Sequence, residues 1–149
     1  MLNPQLSSMV ITPEGIQRVT ELLQELQSET NAKIILLVEK SGQHLALVGD
    51  ESPHIMALSA LVVGAFSSTR EIARLLGEAE FKTMFQQGSK LNIFISLLDS
   101  QDLITVIFDE RTTLGMIKLK TQQMTKRISE EITNMTQNGA QGQGLGQWR

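Results

Sequence analysis

Two short runs that are apolar on both faces constrain this chain more than any other feature. They are Ile34-Ile35-Leu36-Leu37-Val38, set between Lys33 and Glu39, and Leu103-Ile104-Thr105-Val106-Ile107-Phe108. A strand with one wet face alternates; a strand apolar on both faces must be covered on both sides. The two runs therefore predict the middle of a sheet with helices above and below it.

The remaining strands follow from alternation and turn chemistry. Lys40-Ser41-Gly42-Gln43 reads as a turn. After it, Leu45 and Leu47 fall on one side and His44 and Ala46 on the other, which completes a hairpin with a more exposed second strand. Phe81, Thr83 and Phe85 alternate with Lys82, Met84 and Gln86 up to Gly88, a half-exposed strand suited to a sheet edge. Over 91–98, Ile93, Ile95 and Leu97 share one face and Phe94 and Leu98 the other, ahead of the turn Asp99-Ser100-Gln101-Asp102. Short turns imply antiparallel pairing.

Three segments carry helical spacing. Thr12-Pro13-Glu14 is a helix start, with Thr as N-cap and Pro at the first position. Ile16, Val19, Leu22, Leu23 and Leu26 form its apolar face, and Asn31-Ala32 ends it. A long helix is predicted from about Pro53 to Leu76, stopped by Gly77. The last begins near Thr112 or Thr113 and carries Leu114, Ile117, Thr121, Met124, Ile128, Ile132 and Met135 on one face; Met116 and Leu119 fall off it.

The expected fold is an α/β (α+β) domain in the order αββαβββα. A five-stranded antiparallel sheet lies between one helix and a helix pair. Residues 1–12 read as a lead-in, 13–136 as the domain, and 137–149 as a disordered Gly/Gln-rich tail. The whole chain of 149 residues is about one domain's worth.

Composition removes several function classes. A net charge of −3 gives no bulk attraction to nucleic acid or anionic lipid. The absence of cysteine excludes disulfides, thiolate nucleophiles and cysteine-held metals, and fits a cytoplasmic setting. His44 and His54, the only histidines, sit at predicted surface positions. No phosphate loop ending Gly-Lys-Ser/Thr occurs, and Gly142-Gln143-Gly144-Leu145-Gly146 lacks the strand and helix of a dinucleotide fingerprint. Asp109-Glu110 is read as a helix entry rather than a cation site. The apolar stretch from Ala57 to Phe66 is about half of the ~20 residues a membrane span needs. The expectation is a protein with no catalytic residues, cofactor or metal, no nucleic-acid partner and no membrane insertion.

The middle helix is the unusual element. Leu58, Leu61, Val62, Ala65, Ile72 and Leu76 are expected to cover a sheet face. Beside them Ala57, Ala60, Gly64, Ser67, Ser68 and Glu71 fall within roughly a 100° sector, and nearly all are small. A glycine in mid-helix costs about 1 kcal/mol relative to alanine, so Gly64 asks for a packing reason. A small-residue face lets a foreign backbone approach closely. An edge strand that includes Phe81, Thr83 and Phe85, flanked by Ala57 on the helix, suits two-fold pairing of two copies. Arg70 and Arg74 lie beside the stripe and are expected to steer an acidic partner.

The order and spacing of several stretches resemble the Roadblock/dynein light chain family, and within it the bacterial regulators of a Ras-like polarity GTPase. The stretches are Asn31-Ala32-Lys33-Ile34-Ile35-Leu36-Leu37-Val38, Leu58-Ser59-Ala60-Leu61-Val62-Val63-Gly64, Leu75-Leu76-Gly77-Glu78-Ala79-Glu80-Phe81, and Val106-Ile107-Phe108-Asp109-Glu110-Arg111-Thr112-Thr113-Leu114-Gly115. The resemblance implies a homodimer whose middle helices form a platform for a small Ras-like GTPase. It also implies stimulation of GTP hydrolysis by rearranging the GTPase's own catalytic residues, without an arginine finger. The family's platform positions correspond to Ala60, Gly64, Ser67, Ser68 and Glu71. The competing reading is an adaptor dimer that tethers a GTPase or motor without altering hydrolysis. A small-molecule sensor is disfavoured by the lack of convergent polar groups.

Overall fold

The computed structural model describes residues 11–146, with side chains over 11–135. The elements are α1 (Pro13–Thr30), β1 (Ile34–Val38), β2 (His44–Gly49), α2 (Ile55–Leu76), β3 (Thr83–Gln87), β4 (Asn92–Leu97), β5 (Leu103–Phe108) and α3 (Leu114–Gly146). One antiparallel sheet has the order β2-β1-β5-β4-β3. The two doubly apolar runs, β1 and β5, are adjacent, and every residue of both is buried. This is the architecture expected from the sequence.

The local signals act as their chemistry requires. The Thr12 hydroxyl accepts the Gly15 N–H at 3.0 Å and caps α1, and Asn31 ends that helix with φ of 57°. The Thr113 hydroxyl accepts the Met116 N–H at 3.2 Å at the start of α3. Gly77 ends α2 in the left-handed region, at φ of 77°.

Alternation splits the core into two layers. On one side Ile35, Leu37, Phe94, Val106 and Phe108 meet α1 and α3 through Val19, Leu23, Leu26, Ile117, Met124 and Ile128. On the other side Ile34, Leu36, Ile95 and Ile107 meet α2 through Ile55, Val62 and Phe66.

Two boundaries differ from the sequence reading. The edge strand begins at Thr83, so Phe81 lies outside it, half-buried. The last bond on this side of the β3–β4 ladder is that of the Leu97 N–H to the Lys82 carbonyl, at 2.8 Å, and β4 ends at Leu97 before the turn to β5. Phe81 is thereby left without a ladder partner. The backbone of α3 continues as helix to Gly146, past the expected end at 136. Extending a formed helix is far cheaper than nucleating one, and the segment contains no proline. The remainder of the expected tail, 147–149, and 1–10 of the lead-in lie outside the described residues.

Candidate partner interface

The site is built on α2, and its seating on the sheet decides what it offers. Ile55, Ser59, Val62, Phe66 and Ala73 recur at three-, four- and seven-residue steps and are buried. Phe66 is the anchor, at 2% exposure, and the buried Ser59 hydroxyl is satisfied by the Ile55 carbonyl at 2.8 Å. Val62 is buried and Leu58 half-buried, as expected. The expectation for the rest of the sheet-covering face is corrected: Leu61, Ala65, Ile72 and Leu76 are exposed, Leu61 to 70% and Leu76 to 69%. The helix is apolar around most of its circumference, so two faces can satisfy the same periodicity. The bulk of Phe66 selects the one that docks. A sequence reading centred on that phenylalanine finds the buried seam.

The small-residue stripe faces outward. Ala57, Ala60, Gly64, Ser67, Ser68 and Glu71 are all exposed. A Cβ built on Gly64 meets nothing within 4 Å, so no contact inside the described chain requires glycine there. Ala60 is different. The 40–43 turn packs against it, and a Cβ on Gly42, at φ of +95°, would come 3.4 Å from the Ala60 Cα. The smallness of Ala60 therefore serves this chain's own turn. Next to the stripe stand the side chains missed as surface residues by sequence reading. They are Met56, Leu61, Ile72, Leu75 and Leu76, with Leu75 79% exposed. Large apolar side chains grouped on the exposed side of one helix are the usual mark of an interaction surface.

Polar contacts shape the second half of the helix. Ser68 and Thr69 turn their hydroxyls back onto the carbonyls of Ala65 and Phe66, at 2.7 and 2.6 Å. Arg74 is paired to Glu71 at 2.6 Å, whereas Arg70 reaches Gln101 on the β4–β5 turn at 3.4 Å. Below that turn Asp102 is buried. Burial pushes its carboxyl above the ordinary 3.8, partly offset by the Ser100 hydroxyl at 2.8 Å and by the Lys40 backbone N–H.

Strand β3 is one edge of the sheet, and its half-buried Met84 packs against the core layer that α2 covers. Thr83 is half-buried, and Phe85, 39% exposed, stacks on Phe108 with ring centroids 6.2 Å apart. Asp109 serves the turn into α3: its carboxylate accepts the Arg111 backbone N–H at 3.0 Å and Nε at 2.9 Å, which holds it below the ordinary carboxylate value. His44 and His54 are exposed. By length and mean hydropathy alone α2 is long and apolar enough to cross a membrane. Here it is a layer of the domain, with Ile55, Val62 and Phe66 in the core and Arg70, Glu71 and Arg74 on its outside.

A five-stranded antiparallel sheet with α2 on one face and α1 and α3 on the other agrees with the sequence match that residues 18–108 make to the Roadblock/LC7 domain. The chain belongs to the Roadblock/LC7 family. Among solved structures it is similar to MglB of Myxococcus xanthus, with 27% identity over 85% of this chain and 96% of that one and a TM-score of 0.78. It is likewise similar to an MglB with a tetrameric arrangement, at 27% identity, 86% and 97% coverage and a TM-score of 0.81. The gliding protein MglB of Thermus thermophilus gives 28% identity, 85% and 97% coverage and a TM-score of 0.79. A Roadblock/LC7 domain from Streptomyces avermitilis, at 14% identity and a TM-score of 0.70, shares the fold. No curated protein matches the chain by sequence.

Proposed function

We propose that this Roadblock-family chain is a cytoplasmic, homodimeric regulator that activates a small Ras-like, MglA-like GTPase. The outward face of α2 carries the proposal: small residues around Gly64 are open to solvent and bordered by large exposed apolar side chains. A second copy covers the apolar border, with β3 edges pairing across the two-fold, where Thr83, Phe85, Phe81 and Ala57 take part. The GTPase approaches the small stripe at Ala60, Gly64, Ser67, Ser68 and Glu71, flanked by Arg70 and Arg74. Similarity to the MglB structures supports this reading.

Activation then proceeds by selection of a GTPase conformation. The regulator binds best to the state in which the GTPase's own groups stabilise phosphoryl transfer, and so raises the population of that state. Arg70 and Arg74 steer and bind, and do not enter the reaction.

Single-turnover GTP hydrolysis by an MglA-type GTPase, with and without this protein, tests the function. Acceleration is expected; binding without acceleration would leave only a tethering adaptor. Gly64→Arg or Ser67→Arg should abolish binding while circular dichroism stays unchanged. Arg74→Ala should weaken binding and leave turnover in the saturated complex intact. A loss of several orders of magnitude at saturation would make that arginine a finger and overturn the mechanism.

A further inference from the structure

Arg70 stands apart from the other arginines. Among the described residues Arg18, Arg74, Arg111 and Arg127 each form an ion pair with a carboxylate, on Glu131, Glu71, Asp109 and Glu25 respectively. Arg70 has no carboxylate partner among them; its Nη2 donates to the neutral amide oxygen of Gln101. Among the described residues, in a chain with more acids than bases, Arg70 is the one arginine without an ion pair.

Its surroundings are built rather than incidental. Arg70, Ser67, Lys40 and Gln101 line a notch of about 40 Å³ at the end of the sheet, with Phe66 and Leu103 as lining apolar groups. Both of these are nearly fully buried. The polar groups come from three separate elements: α2, the β1–β2 turn and the β4–β5 turn. Buried Asp102 accepts from the Ser100 hydroxyl within its own turn, and Lys40 of the other turn lies near enough to act on its carboxyl. Gln101 adopts φ of 71°, a left-handed backbone that glycine, asparagine or aspartate occupies more readily. The β4–β5 hairpin requires it: the Gln101 N–H donates to the Leu98 carbonyl at 2.9 Å and the Leu98 N–H to the Asp102 carbonyl at 2.8 Å. So placed, the Gln101 amide oxygen lies 3.4 Å from Arg70 Nη2 at the rim of the notch.

Resting on the regulatory reading above, we propose that this notch receives one carboxylate side chain, an aspartate or glutamate, of the partner GTPase. Arg70 engages the carboxylate with the donors that Gln101 leaves free, since a guanidinium has five N–H groups. Lys40, which also faces Asp102, and the Ser67 hydroxyl close the site. Phe66 and Leu103 lower the local dielectric and strengthen the pairing. The volume admits a group of a few heavy atoms, which suits a carboxylate and not a nucleotide. Lys40 and Gln101 thus join Arg70 as determinants of partner choice, and Asp102 is a positioning residue.

The test measures binding of the full chain to an MglA-type GTPase loaded with a non-hydrolysable GTP analogue. If the unaltered protein does not bind, the regulatory reading fails before the notch is addressed. Given binding, Arg70→Gln should raise Kd about fivefold, the upper range for an ion pair between exposed side chains such as Arg70. Arg70→Lys should recover part of that loss. Gln101→Gly should raise the melting temperature by relieving the backbone, yet weaken binding several-fold; a purely structural glutamine would not separate the two. An acid-to-amide scan of the GTPase should find one residue whose effect disappears in the Arg70→Gln background. The notch is refuted if folded Arg70→Gln binds within twofold of the unaltered protein, or if no GTPase acid couples to it. It is also refuted if Arg70→Gln alters self-association in sedimentation and not GTPase affinity, because the site would then belong to the second copy.

Discussion

The domain holds a glycine in each of two helices on opposite faces of the sheet, and their surroundings differ completely. Gly15 in α1 is buried: an added Cβ would collide with the Met135 side chain of α3 and come 2.9 Å from the capping hydroxyl of Thr12. Gly64 in α2 faces open space. The first glycine lets two helices of one chain close together. The second leaves room that no described residue fills. The same contrast holds for whole faces. The helix pair seals its side, with Val19, Leu23, Ile117 and Ile128 at 0% exposure. The single helix α2 covers the other side and leaves Leu61 and Leu75 at 70% and 79% exposure. Among the described residues, the helix pair leaves Met116 and Leu119 as its exposed large apolar side chains, whereas α2 leaves Met56, Leu61, Ile72, Leu75 and Leu76 exposed.

The largest expected effect comes from moving the same truncation between the two faces. Ile128→Ala should cost about 3 kcal/mol of stability in urea unfolding, the usual range for emptying a sealed core position. Leu75→Ala should change the stability of the dilute protein by no more than about 0.5 kcal/mol, while weakening self-association. A cost near that of Ile128→Ala in dilute protein would break the contrast.

The glycines give the next effect, and here the signs oppose. Gly64→Ala should stabilise the isolated domain by about 1 kcal/mol, because alanine is the better helix former and nothing obstructs its methyl group. Gly15→Ala has the same propensity gain but overpacks against Met135 and Thr12. With overpacking at about 1–3 kcal/mol, it should be destabilising on balance. Melting curves that move in the same direction for both would show that the faces are not distinguished in this way.

The smallest effect is in the pH dependence, where two aspartates differ. Asp102 has its carboxyl raised above 3.8 by burial. The folded protein therefore binds its proton more readily than the unfolded chain does. The cost of ionised Asp102 is fully present at neutral pH and is relieved as pH falls through the raised value towards 3.8. Asp109 is lowered by its hydrogen bonds to Arg111. Its contribution is present above 3.8 and is lost only as pH falls through the lowered value. Stability of the unaltered protein relative to Asp102→Asn should therefore improve between neutral pH and about 4, while relative to Asp109→Asn it should stay level over that interval. A level difference for Asp102→Asn would mean that burial does not govern this carboxyl.

Much of this molecule is legible before any fold is known. Thr12 and Pro13 start α1, Gly77 stops α2, and the two doubly apolar runs become the adjacent strands β1 and β5, because these signals act within a few residues of chain. The small stripe around Gly64 was legible for the same reason: helical spacing alone places those residues on one side. Which side of α2 meets the sheet was not legible. Leu61, Ile72 and Leu76 fit the periodicity as well as Ile55, Val62 and Phe66 do, and only docking chooses between them. The seating of Arg70 beside Gln101 and Lys40 was beyond reach too, since it joins a helix to two turns far apart in sequence. Local chemistry writes where elements begin, end and pair; the packing of one surface against another is a property of both surfaces, and tertiary structure alone decided it.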